Sequence, residues 1–73
     1  MLIETTIEVS TADGQKFEVS YCAVKDEDKV FNLIITNVFI NRYELRMGTL
    51  LAHPVYSELK AAAINNAVNT PDK

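Results

Sequence analysis

The sequence predicts a small α+β domain, an antiparallel meander of three to four strands with one C-terminal helix packed on a face of the sheet. Three observations favour this class. Apolar and polar residues alternate over 2–10 and 16–24, an apolar and largely β-branched run occupies 30–40, and a helical pattern occupies 53–69. Strands followed by a helix are typical of the α+β architecture.

The first two strands are expected to form a hairpin. The loop Ala12-Asp13-Gly14 suits a three-residue turn with glycine at positive φ, and this turn pairs Val9 with Phe17. The apolar residues then share one face, as a buried sheet requires. The same register places Glu8 opposite Glu18 on the polar face, where like charges repel.

The charged segment KDEDK, residues 25–29, predicts a solvated turn that leads to a third strand, VFNLIITNVFI. A regular strand would carry apolar residues on both faces, since side chains alternate. One face would hold Phe31, Leu33, Ile35 and Phe39, and the other Val30, Ile34, Val38 and Ile40. Alternatively, the run bends at Asn37, and its halves bury different faces against the same core.

Residues 41–52 fit two interpretations. In one, Asn41-Arg42 forms a turn, and a fourth strand directs Leu45, Met47 and Leu51 inward. In the other, a helix runs from Asp26 to Gly48. The β-branched residues of the preceding run favour strands over this helix.

The C-terminal helix is predicted from Pro54, which suits a first helical position, and from an alanine-rich segment. At about 100° per residue, one apolar stripe is expected on the sheet. It consists of Val55, Leu59, Ala62 and Ala63. A second stripe on nearly the opposite side consists of Ala61, Ile64 and Val68.

Length and composition limit the domain count and the function classes. With 73 residues and no internal repeat, we expect one domain over 1–69 and a frayed tail over 70–73. A net charge of -3 with scattered Lys and Arg lacks the basic footprint of a nucleic-acid binder. An acidic N-terminus and the absence of a long apolar segment predict a soluble, cytoplasmic protein.

Few residues suggest chemistry. The single histidine, His53, lacks partners for a catalytic triad or a metal site, and the single cysteine, Cys22, is expected beside Glu4, which disfavours a reactive thiolate. We therefore predict a protein that is not an enzyme and has no catalytic, cofactor-binding or metal-binding residues. Glu4, Glu8 and Glu18 share a face, which predicts a solvated surface. The alternatives are an acidic recognition face for a basic partner and, more weakly, acid–base catalysis by the Glu8–Glu18 pair.

The excess of apolar positions predicts a protein-binding module, acting as a homodimer or by docking on a partner protein as an inhibitor or adaptor. The expected partner-binding residues are Val30, Ile34, Val38, Ile40, Ala61, Ile64 and Val68. The alternative is a nucleic-acid-binding protein that uses Arg42, Arg46 and the scattered lysines.

Overall fold

The computed structural model describes residues 1–71, which form a four-stranded antiparallel sheet and two helices. The elements are β1 (Leu2–Ser10), β2 (Lys16–Asp26), β3 (Lys29–Ile40), β4 (Tyr43–Glu44), α1 (Met47–Leu51) and α2 (Val55–Val68). The strand order is β1-β2-β3-β4, so that each strand pairs with its neighbour in sequence. The predicted α+β class, the meander and the packed C-terminal helix are confirmed.

The β1–β2 hairpin has the predicted register. Val9 pairs with Phe17, Glu8 pairs with Glu18, and the ladder from Leu2 to Ser10 has no interruption. Gly14 has a φ of 86°, and its N–H donates to the Thr11 oxygen at 3.0 Å. The tight turn therefore needs a residue that tolerates positive φ at position 14.

Strand β3 is not regular, because it contains two β-bulges relative to β2. Thr36 is an extra residue between two paired positions, and Asn32 and Leu33 together stand opposite Ala23. Asn32 has a φ of 52°, a conformation that asparagine tolerates better than most residues. Each bulge changes which side the following residues face. The helix-covered side of β3 therefore carries Val30, Leu33, Ile35, Val38 and Ile40.

The expectation of two regular apolar faces on β3 is thus wrong. Ile35 and Val38, assigned to opposite faces, are both buried in the same core, whereas Ile34 is 58% exposed. The alternative, a bend that lets both halves of the run pack on one core, agrees better with the structure. The bulges that switch the side of the sheet that the residues face are at Thr36 and at Asn32-Leu33, rather than at Asn37.

Residues 41–52 differ from both interpretations. Asn41 and Arg42 have φ values of 50° and 70° and form the expected turn, but β4 has two residues. A short helix follows, because turning the chain there places Leu50 in the core and leaves Leu51 exposed. Leu45 and Met47 pack against the core, as the strand interpretation expected.

Helix α2 packs on the sheet through the predicted stripe. Leu59 and Ala63 are fully buried, Val55 and Ala62 are partly buried, and Ala67 joins them. Pro54 precedes the first helical residue by one position.

Three polar contacts fix the position of α2. Tyr21 Oη donates to Asn66 Oδ1 at 2.6 Å, and the Ala12 N–H donates to Glu58 Oε2 at 3.1 Å. The third contact corrects the solvated-turn prediction, because Lys25 is 5% exposed and its Nζ donates to the backbone oxygens of Val68 and Thr70.

The turn between β2 and β3 consists of Glu27 and Asp28 alone. The predicted frayed tail began at residue 70, but Thr70 is held by Lys25 and by its own hydroxyl, which donates to the Asn66 oxygen at 2.8 Å. Residues 72–73 of that tail lie outside the described residues.

Candidate protein-binding surface

The helices cover one face of the sheet, and we call the other the open face. Paired residues of an antiparallel ladder share a side, so the register defines its rows. Across β1, β2 and β3 these rows are Leu2–Val24–Phe31, Glu4–Cys22–Ile34, Thr6–Ser20–Asn37 and Glu8–Glu18–Phe39, with Glu44 of β4 beside Phe39.

One end of the open face is apolar. Its side chains come from three different strands and remain accessible, at 64% exposure for Leu2, 38% for Val24, 45% for Phe31 and 58% for Ile34. We call these four residues the apolar end. Exposed apolar residues that are contiguous, rather than scattered singly, mark interaction sites.

The opposite end of the open face is acidic. Glu8 lies directly across from Glu18, and Glu44 is separated from Glu18 by Phe39. We call Glu8, Glu18 and Glu44 the acidic end. Asn37 Nδ2 donates to Glu44 Oε2 at 2.8 Å, which orients that carboxylate.

The centre of the open face is occupied by hydroxyl groups. The Thr6 and Ser20 hydroxyl oxygens lie 2.8 Å apart, within hydrogen-bond distance, and Thr36 Oγ1 donates to the Ser20 backbone oxygen at 3.2 Å. Cys22 is half-buried between Glu4 and Ile34, the neighbourhood expected for it.

The seven predicted partner-binding residues do not form one surface. Val38 is completely buried, and Val30 and Ile40 pack against the core, so these three offer little or nothing to a partner. Ile34 lies on the open face, whereas Ala61, Ile64 and Val68 are exposed on α2. The exposed apolar residues Leu2, Val24 and Phe31 of the open face were not among the seven, although continuing the alternation along β1 and β2 would put Leu2 and Val24 on the polar face.

The three predicted glutamates do share the open face. Glu4 and Glu8 are four positions apart on β1, and Glu18 faces Glu8. All three are exposed. Lys16 and Arg42 line the same shallow depression as Glu8 and Glu18, so cations border the acidic end.

A separate groove of about 480 Å³ lies between β3, β4 and the two helices. Its apolar floor includes Phe17, Ile40 and Leu50, and Arg46 and His53 line its rim. His53 Nδ1 accepts a hydrogen bond from the Val55 N–H at 3.1 Å, and the His53 oxygen accepts one from Tyr56 at 3.0 Å. The single histidine therefore accepts a hydrogen bond from the N–H of the first residue of α2, from a position just before the N-cap, Pro54.

Within residues 1–71, no group of three or more His, Cys, Asp or Glu side chains is arranged to hold a metal ion. Neither helix of this part of the chain is long and apolar enough to span a membrane.

No protein-family model, curated protein or solved structure matches this chain.

Proposed function

We propose that the protein is a non-enzymatic protein-binding module whose open face docks on a partner protein, which it inhibits or adapts by covering part of that partner's surface. The observation that carries the proposal is the apolar end, four accessible apolar side chains on neighbouring strands. Full burial of one such side chain is worth roughly 1.5–3 kcal/mol, so their joint burial is a substantial driving force.

The charge of the open face favours a particular partner. Glu4, at the border of the apolar end, and the three carboxylates of the acidic end leave the face predominantly negative. Complementary potentials steer association and fix orientation. The fitting partner presents an apolar patch bordered by lysine or arginine.

The same charges disfavour the nucleic-acid alternative. Arg42 and Lys16 lie beside Glu8 and Glu18, which would repel phosphate groups. Arg46 lines the groove near the helices, away from the aromatic rings of the open face. We further propose a cytoplasmic setting, where the unpaired thiol of Cys22 stays reduced.

The proposal is tested by using the protein as bait to capture its partner from the native cell extract. Two double variants are compared as baits. Phe31→Ser/Ile34→Ser removes two apolar side chains from the open face. Its matched control, Ile64→Ser/Val68→Ser, removes two side chains of similar exposure from α2. We expect the first variant to lose the captured protein and the second to keep it.

The captured protein is then purified and titrated with each variant. We expect Phe31→Ser/Ile34→Ser to weaken binding at least tenfold, which corresponds to about 1.4 kcal/mol. Glu8→Gln/Glu18→Gln should weaken it less and reduce its salt dependence. If only the α2 variant lost binding of the captured protein, the interface would lie on the helix. If nuclease treatment released the captured protein, the nucleic-acid alternative would be favoured.

A further inference from the structure

We propose that two copies of the chain dimerise through the outer edge of β1, which joins their sheets into one continuous sheet. The proposal is independent of docking on the open face, because it uses backbone groups at the sheet edge. Strand β1 is the first strand of the sheet and pairs only with β2 among the described residues.

The hydrogen bonds of the hairpin show which backbone groups point to this edge. The Met1 amino group donates to the Lys25 oxygen and the Lys25 N–H to the Met1 oxygen, both at 2.8 Å, and the Thr11 N–H donates to Gln15. Bonded and non-bonded pairs alternate in an antiparallel ladder. The odd-numbered residues of β1 therefore bond to β2, and the even-numbered residues direct N–H and C=O outward.

The edge of β1 is long and regular, and its charged residues, Glu4 and Glu8, have their side chains on the open face rather than along the edge. Residues 2–10 contain no proline, lysine or arginine, and their ladder with β2 has no bulge. The other edge of the sheet is less suited to pairing, because β3 carries two bulges there and is partly covered by the short strand β4. An unprotected, regular edge strand is a template for another strand.

The charges on β1 select the register of a two-fold dimer. A two-fold axis through Glu4, Thr6 or Glu8 would place glutamates directly opposite each other, which is unfavourable. An axis through Thr5 or Ile7 avoids this. The Thr5 axis also sets Ile3 beside Ile7 of the second copy and Thr5 beside Thr5, whereas the Ile7 axis sets Val9 beside Thr5.

Exposure on the helix-covered side agrees with the Thr5 axis. Thr5 pairs with the buried Tyr21 yet is itself exposed, and Ile7 is only half-buried, while Ile3 is buried. A second copy paired about Thr5 would cover the accessible side chains of Thr5 and Ile7 and would add apolar burial to a small core.

A cysteine substitution tests the register. In the Cys22→Ser background, Thr5→Cys would place two thiols across the axis in a non-bonded pair with a Cα–Cα distance of about 4.5 Å, within the range of a disulfide. We expect oxidised glutathione to convert it to a covalent dimer. Thr6→Cys, whose side chain points to the open face one residue away, should cross-link much more slowly, and equal rates would overturn the register.

Solution mass tests the edge itself. Light scattering should give twice the mass of one chain for the native protein, and Thr6→Pro should give a monomer because it removes an outward N–H. Thr6→Val keeps that N–H and should remain dimeric, and circular dichroism shows whether the proline variant is folded. A native protein that is monomeric at high concentration, with no Thr5→Cys cross-link, would refute the dimer.

Discussion

Lys25 Nζ donates a hydrogen bond to the backbone oxygen of Val68 at 2.8 Å, so a cation on β2 caps the last turn of α2. A second bond, to the Thr70 oxygen at 2.5 Å, holds the chain just beyond the helix. A positive charge at a helix C-terminus is favourable, and its burial strengthens the interaction.

Lys25→Met should therefore lower the free energy of unfolding by about 1.5–3 kcal/mol, the range for hydrogen bonds to charged groups. Urea denaturation measures this. Lys29→Met removes an exposed charge from β3 and should change stability by less than about 0.5 kcal/mol. Equal effects of the two substitutions would show that the cap is energetically unimportant.

The bulges of β3 predict opposite outcomes for two aliphatic residues four positions apart. Val38→Ala should cost about 1.5–3 kcal/mol, because it removes methyl groups from a fully buried site. Ile34→Ala should cost much less, because Ile34 is mostly exposed. A larger loss for Ile34→Ala in thermal or urea unfolding would contradict the bulged register.

The turn between β1 and β2 should show a specific pH dependence. The hydrogen bond from the Thr11 hydroxyl lowers the pKa of the Asp13 carboxyl below its ordinary value of 3.8. Because the folded-state pKa is the lower one, the contribution to stability is present above pH 3.8 and is lost as the pH falls through the folded-state pKa.

Thr11→Val should raise the Asp13 pKa towards its ordinary value, as an NMR titration of the carboxyl carbon would show. Thr11→Ser keeps the hydroxyl and should leave the pKa low. An unchanged pKa in the valine variant would mean that the Thr11 hydroxyl is not its cause.

Gly14 offers a test of backbone strain without a steric clash. A Cβ at this position would meet no atom within 4 Å, so only the φ of 86° opposes substitution. Gly14→Val should cost about 1–2 kcal/mol, the penalty of the left-handed conformation. Gly14→Asn should cost less, and a valine variant as stable as the native protein would remove the need for glycine.

Glu8 and Glu18 repel each other across the hairpin. Glu8→Lys should stabilise the fold by a few tenths of a kcal/mol, because an opposite-charge pair replaces a like-charge pair. Glu8→Gln removes the repulsion without adding attraction, so its stability should lie between those of the native protein and the lysine variant. A clear loss of stability in the lysine variant, measured by urea denaturation, would contradict an exposed Glu8–Glu18 pair.

Much of the hairpin and α2 could be predicted because both depend on local rules. Gly14 in a three-residue loop determines the register of β1 and β2, and the spacing of Leu59 and Ala63 predicts the buried side of α2. Asn32 and Asn37 interrupt the apolar run and were a signal of irregularity. Nothing local specified where the bulges would occur.

The sequence by itself determined the α+β class, the register of the first hairpin, the row containing Glu8 and Glu18, and the two stripes of α2. Only the tertiary structure decided that Val38 joins Ile35 in the core, that Phe31 and Leu2 lie in one row of the open face on either side of Val24, and that Lys25 caps α2. The reason is physical. Alternation and turn geometry act between near neighbours, whereas a bulge in β3 is stable because it lets one core bury residues from both predicted faces. The contact between Lys25 and Val68 likewise exists only once β2 and α2, distant in sequence, have packed together.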